Sequence, residues 1–127
     1  MRRSDAIAVA LLVAAASAGA QDYPARPIRI LVPSTPGGSV DTLARMVGNN
    51  LSERWKQQVV VDNRAGAGGI IAGELTAKAA PDGYTLIMAT IAAMVTNVSL
   101  AKKLPYDPVR DFAPITLVAS QQIVLLV

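Results

Sequence analysis

Two glycine-rich turns, each lying between a short β-like run and a helix-like stretch, constrain the fold of this chain most. The first turn, 36–41, follows the apolar run 28–32, and the second, 63–69, follows the run 59–61. A strand that passes through glycines into a helix presents unpaired backbone N–H groups at the positive end of the helix dipole. Neighbouring βα units bring such turns to one edge of a parallel sheet, where open α/β sheets bind ligands. The sequence therefore predicts an anion-binding edge.

The hydrophobic pattern around these turns predicts alternating strands and helices. Ser39 is the expected N-cap of a first helix whose apolar positions recur at i, i+3 and i+4 as far as Trp55, which is interpreted as a core residue. Successive βα units imply an α/β fold, with helices flanking a parallel sheet. The remaining predicted elements are strands at 28–32, 58–62 and 85–89, a helix at 70–80, a loop entering a short helix at 90–100, and β-like runs at 115–119 and 122–127.

The first twenty residues have the pattern of a signal peptide. Arg2 and Arg3 form a basic start, an apolar run follows at 6–16, and small residues precede a cleavage point after Ala20. We therefore expect export to the periplasm, with an uncleaved membrane anchor as the alternative. The apolar run at 123–127 has the pattern of a buried strand, so the chain is expected to be a fragment of a longer protein.

Charge and missing residue types exclude several classes of function. The chain has 12 basic and 9 acidic residues and no basic block longer than Lys102-Lys103, which argues against nucleic acid as a partner. The sequence contains no Cys and no His. It therefore lacks a thiol nucleophile, a Ser-His-Asp arrangement, a histidine base and the usual zinc ligands. We expect no enzyme activity, no metal site and no cofactor.

The glycine turns also have other interpretations. A dinucleotide-binding fingerprint fails because Ile71 stands at its third glycine position, and a P-loop fails because neither turn continues into Gly-Lys-Ser/Thr. Both turns could be tight connections in which glycine adopts positive φ. The Ser39 hydroxyl is either an N-cap or a ligand contact, and Asp41 is interpreted as a dipole-matching or loop-bracing carboxylate. The alternative function is an α/β transferase that binds a phosphorylated cofactor at these turns.

Six motifs occur in order along the chain and together suggest a family. They resemble the extracytoplasmic substrate-binding receptors of tripartite tricarboxylate transporters, the Bug-type family, over residues 21–127. The resemblance implies a periplasmic-binding-protein-like fold of the class II type, in which two lobes close on a small carboxylate. Residues 21–120 would form an incomplete first lobe, and 121–127 would begin the crossover strand to the second lobe. The motifs are Tyr23-Pro24 with 27–33, 36–39 with Asp41, 61–69, 81–86, 104–108 and 111–112.

The resemblance further implies a monomeric receptor that passes its ligand to two membrane subunits. Ser34 and Thr35 stand where the family often has an aromatic residue followed by Ala, so a more polar pocket rim is expected. Valine at Gly38 or Gly68 is expected to weaken carboxylate binding, since it disfavours positive φ and crowds the N–H groups. The implied ligand contacts are Pro36, Gly37, Gly38, Ser39, Asp41, Gly66, Ala67, Gly68, Gly69 and Thr90, with Asn97 as a further candidate.

Overall fold

The structure, a computed structural model, describes residues 23–120. The predicted signal peptide at 1–20 and the predicted β-like run at 122–127 lie outside the described residues.

Three parallel strands form the sheet in the order β2-β1-β3. They are β1 (Ile28–Val32), β2 (Val59–Asn63) and β3 (Thr85–Ile87). Strand β1 lies in the centre, which explains its continuous apolar sequence, because a central parallel strand is buried on both faces. Neighbouring side chains on a strand point to opposite faces, and both Ile30 and Leu31 are buried. The predicted parallel sheet with flanking helices is confirmed.

Helices connect and follow these strands. Helix α1 (Ser39–Trp55) joins β1 to β2, and a 3-10 turn (Ala67–Gly69) leads into α2 (Ile70–Ala77), which joins β2 to β3. After β3, a π-helical turn (Ala92–Thr96) continues into α3 (Asn97–Leu100). The N-terminal half of α1 closes the core, because Val40 and Ala44 pack on the face formed by Ile30 and Val32.

Two predictions about helix boundaries are wrong. The N-cap of α1 is Gly38, not Ser39, and Ser39 is the first helical residue. Helix α2 ends at Ala77 and not at Ala80, because the Ala79 N–H bonds to the Thr76 carbonyl at 3.0 Å and tightens the last turn.

The run 115–119 is not a strand. Ile115 and Leu117 are 78% and 81% exposed. A strand needs a hydrogen-bonded neighbour, and within residues 23–120 no strand pairs with this run.

An aromatic cluster closes the end of the sheet opposite the glycine turns. The Tyr23 ring makes edge contacts with Tyr84 and Trp55, and its hydroxyl donates to the Gly83 carbonyl at 2.7 Å. Trp55 belongs to this cluster and is 37% exposed, so its interpretation as a core residue is wrong. It is the last residue of α1, and at this point the apolar stripe of the helix extends beyond the sheet.

Candidate functional site

The carboxyl ends of β1 and β2 place both glycine turns at one edge of the sheet. Val32 and Asn63 are register partners, so the two turns begin at the same level. A Cβ atom at Gly69 would lie 3.0 Å from the Cβ atoms of both Pro33 and Ala93. The second turn therefore packs between the loop after β1 and the helical segment after β3. Three loops from three neighbouring strands meet at this edge.

The first turn leaves backbone donors free at the start of α1. The first helical hydrogen bond joins the Thr42 N–H to the Gly38 carbonyl at 2.9 Å, so the N–H groups of Ser39 and Val40 have no partner within the helix. These N–H groups lie at the positive end of the dipole of a 17-residue helix. The arrangement can bind an anion through backbone donors and needs no cationic side chain.

The left-handed residue of the first turn is Gly37, with φ +85°, and not Gly38, whose φ is −76°. The expectation that valine at Gly38 would be strained by positive φ is therefore wrong. A side chain there would lie 3.6 Å from the Thr35 carbonyl oxygen, an ordinary contact. Any effect of valine at this position must come from crowding the neighbouring donors.

Asp41 is buried behind the first turn, and its carboxylate accepts three hydrogen bonds. They come from the Gly37 N–H at 2.8 Å, Arg45 Nε at 3.0 Å and Asn63 Nδ2 at 2.9 Å. The Arg45 bond, followed by those from Gly37 and Asn63, lowers the pKa of Asp41 to about 2. The carboxylate is thus ionised and occupied by protein donors. This geometry fits the loop-bracing interpretation of Asp41, and it also takes up the Gly37 N–H.

The second turn has four successive residues with positive φ. Gly66, Gly68 and Gly69 adopt φ values of +128°, +63° and +93°, and Ala67 adopts +48° without being glycine. The Gly69 N–H bonds to the Gly66 carbonyl at 2.9 Å, which closes the turn on itself. Asn97 Nδ2 donates to the Gly68 carbonyl at 3.0 Å. The side chain of Asn97 therefore ties the third loop to the second turn.

Thr90 directly precedes the helical segment after β3. Its hydroxyl oxygen accepts the Ala93 N–H at 3.3 Å, and its carbonyl accepts the Met94 N–H at 3.0 Å. Ser39 and Thr90 lie on the wall of one groove of about 1650 Å³, whose mostly apolar lining comes from α1, β3 and the segments 76–83 and 108–120. Of the ten predicted contacts, only these two line that groove among the described residues. The glycines of the second turn are on the neighbouring part of the edge.

The sequence alone predicts no role for Asn63 or Tyr106. Asn63 ends β2, and the available signal for it is a polar residue at the carboxyl end of a run that begins with three valines. Tyr106 is buried and donates its hydroxyl to the Ala93 carbonyl at 2.5 Å, which supports the π-helical turn beside Gly69. No local sequence pattern marks this role of Tyr106.

Two further findings concern residues 23–120 alone. They contain no group of three or more His, Cys, Asp or Glu side chains that could hold a metal ion. None of the helices in that range is long and apolar enough to cross a membrane.

A protein-family model matches more than half of the chain. The profile of the tripartite tricarboxylate transporter family receptor matches residues 43–127. Protein BugT of Bordetella pertussis is 44% identical over 113 residues, which are 88% of this chain and 35% of that protein.

Two solved structures share the fold. MatC from Rhodopseudomonas palustris, solved with bound malate, has a TM-score of 0.71 and 38% identity over 76% of this chain and 33% of its own. A second R. palustris protein, solved with adipate, has a TM-score of 0.67 and 42% identity over 69% of this chain and 29% of its own. The chain thus spans about one third of the length of these relatives.

Proposed function

The chain belongs to the family of tripartite tricarboxylate transporter receptors, and we propose that it captures a small carboxylate for a membrane transporter. The observation that carries this proposal is the meeting of two glycine turns at one sheet edge, one of which opens a long helix with free N–H groups. Backbone donors at a helix N-terminus favour an anion of small size. The relatives solved with malate and with adipate are consistent with this ligand class.

The electrostatics of the edge suit a carboxylate. Asp41 is the acidic residue nearest to the donors of the first turn, and its charge is balanced by Arg45 at 3.0 Å. Its side chain is 4% exposed, whereas that of Arg45 is 51% exposed. Going inward from solvent, part of the guanidinium is therefore accessible and the carboxylate is not. This order of groups favours anions over cations.

We further propose that residues 21–120 act as the first lobe of a two-lobed receptor and that 121–127 begin the crossing to a second lobe. Donors on one open edge remain in water, where their interaction with a charge is weak. Closure of a second lobe would remove that water and strengthen each hydrogen bond. We propose that the protein acts in the periplasm after cleavage behind Ala20, as a monomer that delivers ligand to membrane subunits.

The alternative of an α/β transferase has no support from the family or from the solved relatives. The sequence also lacks His and Cys, the commonest acid–base and nucleophilic groups apart from carboxylates and hydroxyls.

The proposal is tested by ligand-induced stabilisation. Residues 23–120 replace the equivalent segment of a full-length relative such as MatC, and the chimaera is heated with malate, with adipate and with the corresponding diamides. A ligand that binds only the folded state raises Tm. At a concentration of 100 times Kd it adds about 2.7 kcal/mol to the free energy of unfolding.

We expect the dicarboxylates to raise Tm and the neutral diamides to leave it unchanged. Unmodified MatC is the control for the assay. Equal shifts with acids and diamides, or no shift with a panel of mono- and dicarboxylates, would contradict the proposed ligand class.

A further inference from the structure

We infer that Asn63 is a positioning residue that couples the two glycine turns and fixes the first turn before a ligand arrives. Its carboxamide makes three hydrogen bonds to three different parts of the fold. Nδ2 donates to the Ser34 carbonyl at 3.1 Å and to Asp41 Oδ1 at 2.9 Å. Oδ1 accepts from Arg45 Nη2 at 3.1 Å. One side chain thus holds the loop after β1 and two successive turns of α1.

The place of Asn63 in the chain connects this network to the second turn. It is the last residue of β2, and the Arg64 N–H that follows it bonds to the Val32 carbonyl at 2.8 Å. The first glycine of the second turn follows two residues later, at Gly66. The backbone that enters the second turn therefore carries the side chain that braces the first. A change in the position of either turn must be accommodated at Asn63.

The network reaches the first turn through Asp41. One oxygen of Asp41 accepts from Asn63, and the other accepts from both the Gly37 N–H and Arg45. Asn63 thereby fixes the rotation of the carboxylate, and the carboxylate fixes the left-handed Gly37. With Gly37 held, the N–H groups of Ser39 and Val40 keep one direction. Such preorganisation reduces the cost of ordering the site when a ligand binds.

Only an amide satisfies all three partners of Asn63. Its two donors face two acceptors, and its oxygen faces a donor. Asn63→Asp keeps the shape but replaces the donors by a second carboxylate beside Asp41. The charged groups around this point are Asp41 and Arg45 from α1, and Asp62, which pairs with Arg29 and Arg64.

The first test uses hydrogen exchange of the Gly37 amide in the full 127-residue chain, measured by NMR without ligand. In Asn63→Asp at neutral pH, we expect the protection factor of Gly37 to fall about tenfold, because its acceptor is no longer held in place. Two adjacent carboxylates raise the pKa of one of them. On acidification the introduced carboxyl therefore becomes protonated and donates a hydrogen bond to the Asp41 carboxylate, and Gly37 regains its protection.

Two further variants separate positioning from general stability. Asn63→Ala removes the same bonds without adding charge, so its loss of Gly37 protection should not recover at low pH. Asn50→Asp adds one carboxylate to an exposed position of α1 and should leave Gly37 unchanged. An Asn63→Asp profile that matches either control, or a uniform loss of protection across the chain, would overturn the assignment.

The binding consequence rests on the proposed function and is measured separately. In the chimaera with MatC, Asn63→Asp is expected to weaken malate binding about tenfold at neutral pH, with recovery on acidification that follows Gly37 protection. If the unsubstituted chimaera binds no carboxylate, the proposed function fails, whereas the exchange of Gly37 still decides the role of Asn63. Unchanged affinity in Asn63→Asp would refute the positioning role.

Discussion

Gly73, inside helix α2, has no room for even one methyl group. A Cβ atom built there would lie 2.5 Å from Cε1, 2.6 Å from Cζ and 2.8 Å from the hydroxyl oxygen of Tyr106. The ring cannot swing aside freely, because Tyr106 is 6% exposed, donates to the Ala93 carbonyl and meets Phe112 edge-on. Gly73→Ala must therefore displace the ring or move the helix.

The expected free-energy change is the difference between a gain and two losses. Replacing glycine by alanine in a helix stabilises it by up to about 1 kcal/mol. Overpacking a buried site costs about 1–3 kcal/mol, and losing the Tyr106–Ala93 hydrogen bond costs about 1 kcal/mol more. We therefore expect Gly73→Ala to lower the free energy of unfolding by about 1–3 kcal/mol.

Gly48→Ala is the matched control. Gly48 is also buried inside a helix, but its Cβ would meet Val59 at 3.4 Å and Val61 at 3.6 Å, which are ordinary contacts. Alanine at this position should therefore raise the free energy of unfolding by up to about 1 kcal/mol, because it has the higher helix propensity and causes no steric clash. The two substitutions are chemically identical, so their difference isolates the Tyr106 contact.

The assay is urea unfolding of the chain, followed by the fluorescence of its single tryptophan, Trp55. A change of midpoint at constant slope reports stability. In a double-mutant cycle, Tyr106→Ala should remove the penalty of Gly73→Ala, since the contact no longer exists. The reasoning is refuted if Gly73→Ala is as stable as Gly48→Ala, or if its penalty persists without the tyrosine ring.

Three further predictions address the site and the surface. Gly68→Ala in the chimaera should weaken malate binding about tenfold, because φ is +63° and the new Cβ lies 3.1 Å from Asn97 Oδ1; calorimetry checks this, and an affinity equal to that of Gly48→Ala would contradict it. The pKa of Asp41 is lowered from 3.8 to about 2, so its stabilisation is complete at neutral pH and is lost as pH falls from about 4 to about 2. Asp41→Asn should flatten that part of the profile of urea midpoint against pH, and an unchanged slope would show that Asp41 is not responsible. Leu117→Ser should change the free energy of unfolding by no more than about 0.5 kcal/mol, because Leu117 is 81% exposed; a larger loss of stability in urea unfolding would refute this.

The elements that the sequence predicts well are those whose burial is complete. The run that forms β1 is apolar at four of its five positions because it is covered on both faces, and its predicted bounds are correct. The apolar stripe of α1 predicts the helix but not how far the sheet extends beneath it. The stripe therefore predicts Trp55 as a core residue, although Trp55 lies beyond the contact with the sheet. The run 115–119 has strand propensity, yet propensity alone supplies no neighbouring strand.

The site likewise has some features that the local sequence predicts and others that depend on the tertiary structure. The glycines in the sequence predict the two turns, because a left-handed backbone conformation strongly favours glycine. The bracing network joins Asn63 to Asp41, 22 residues earlier, and depends on the register of β2 against β1. The choice of Asp41 as a loop-bracing group could be made from charge, because an anion site disfavours an exposed carboxylate. Its partner could not be identified without the register.

The proposed recognition of an anion at this edge thus depends on a carboxylate that we do not expect the ligand to touch. Asp41 holds Gly37 in its left-handed conformation, and Arg45 and Asn63 keep the negative charge of Asp41 directed into the protein. If Asp41 were exposed, it would repel the ligand; if it were absent, the turn would lose its acceptor. Burial behind the turn, with three donors from the protein, satisfies both requirements. The same arrangement explains why Asn63 must be an amide, since a cation there would compete with Arg45 and an anion would repel Asp41.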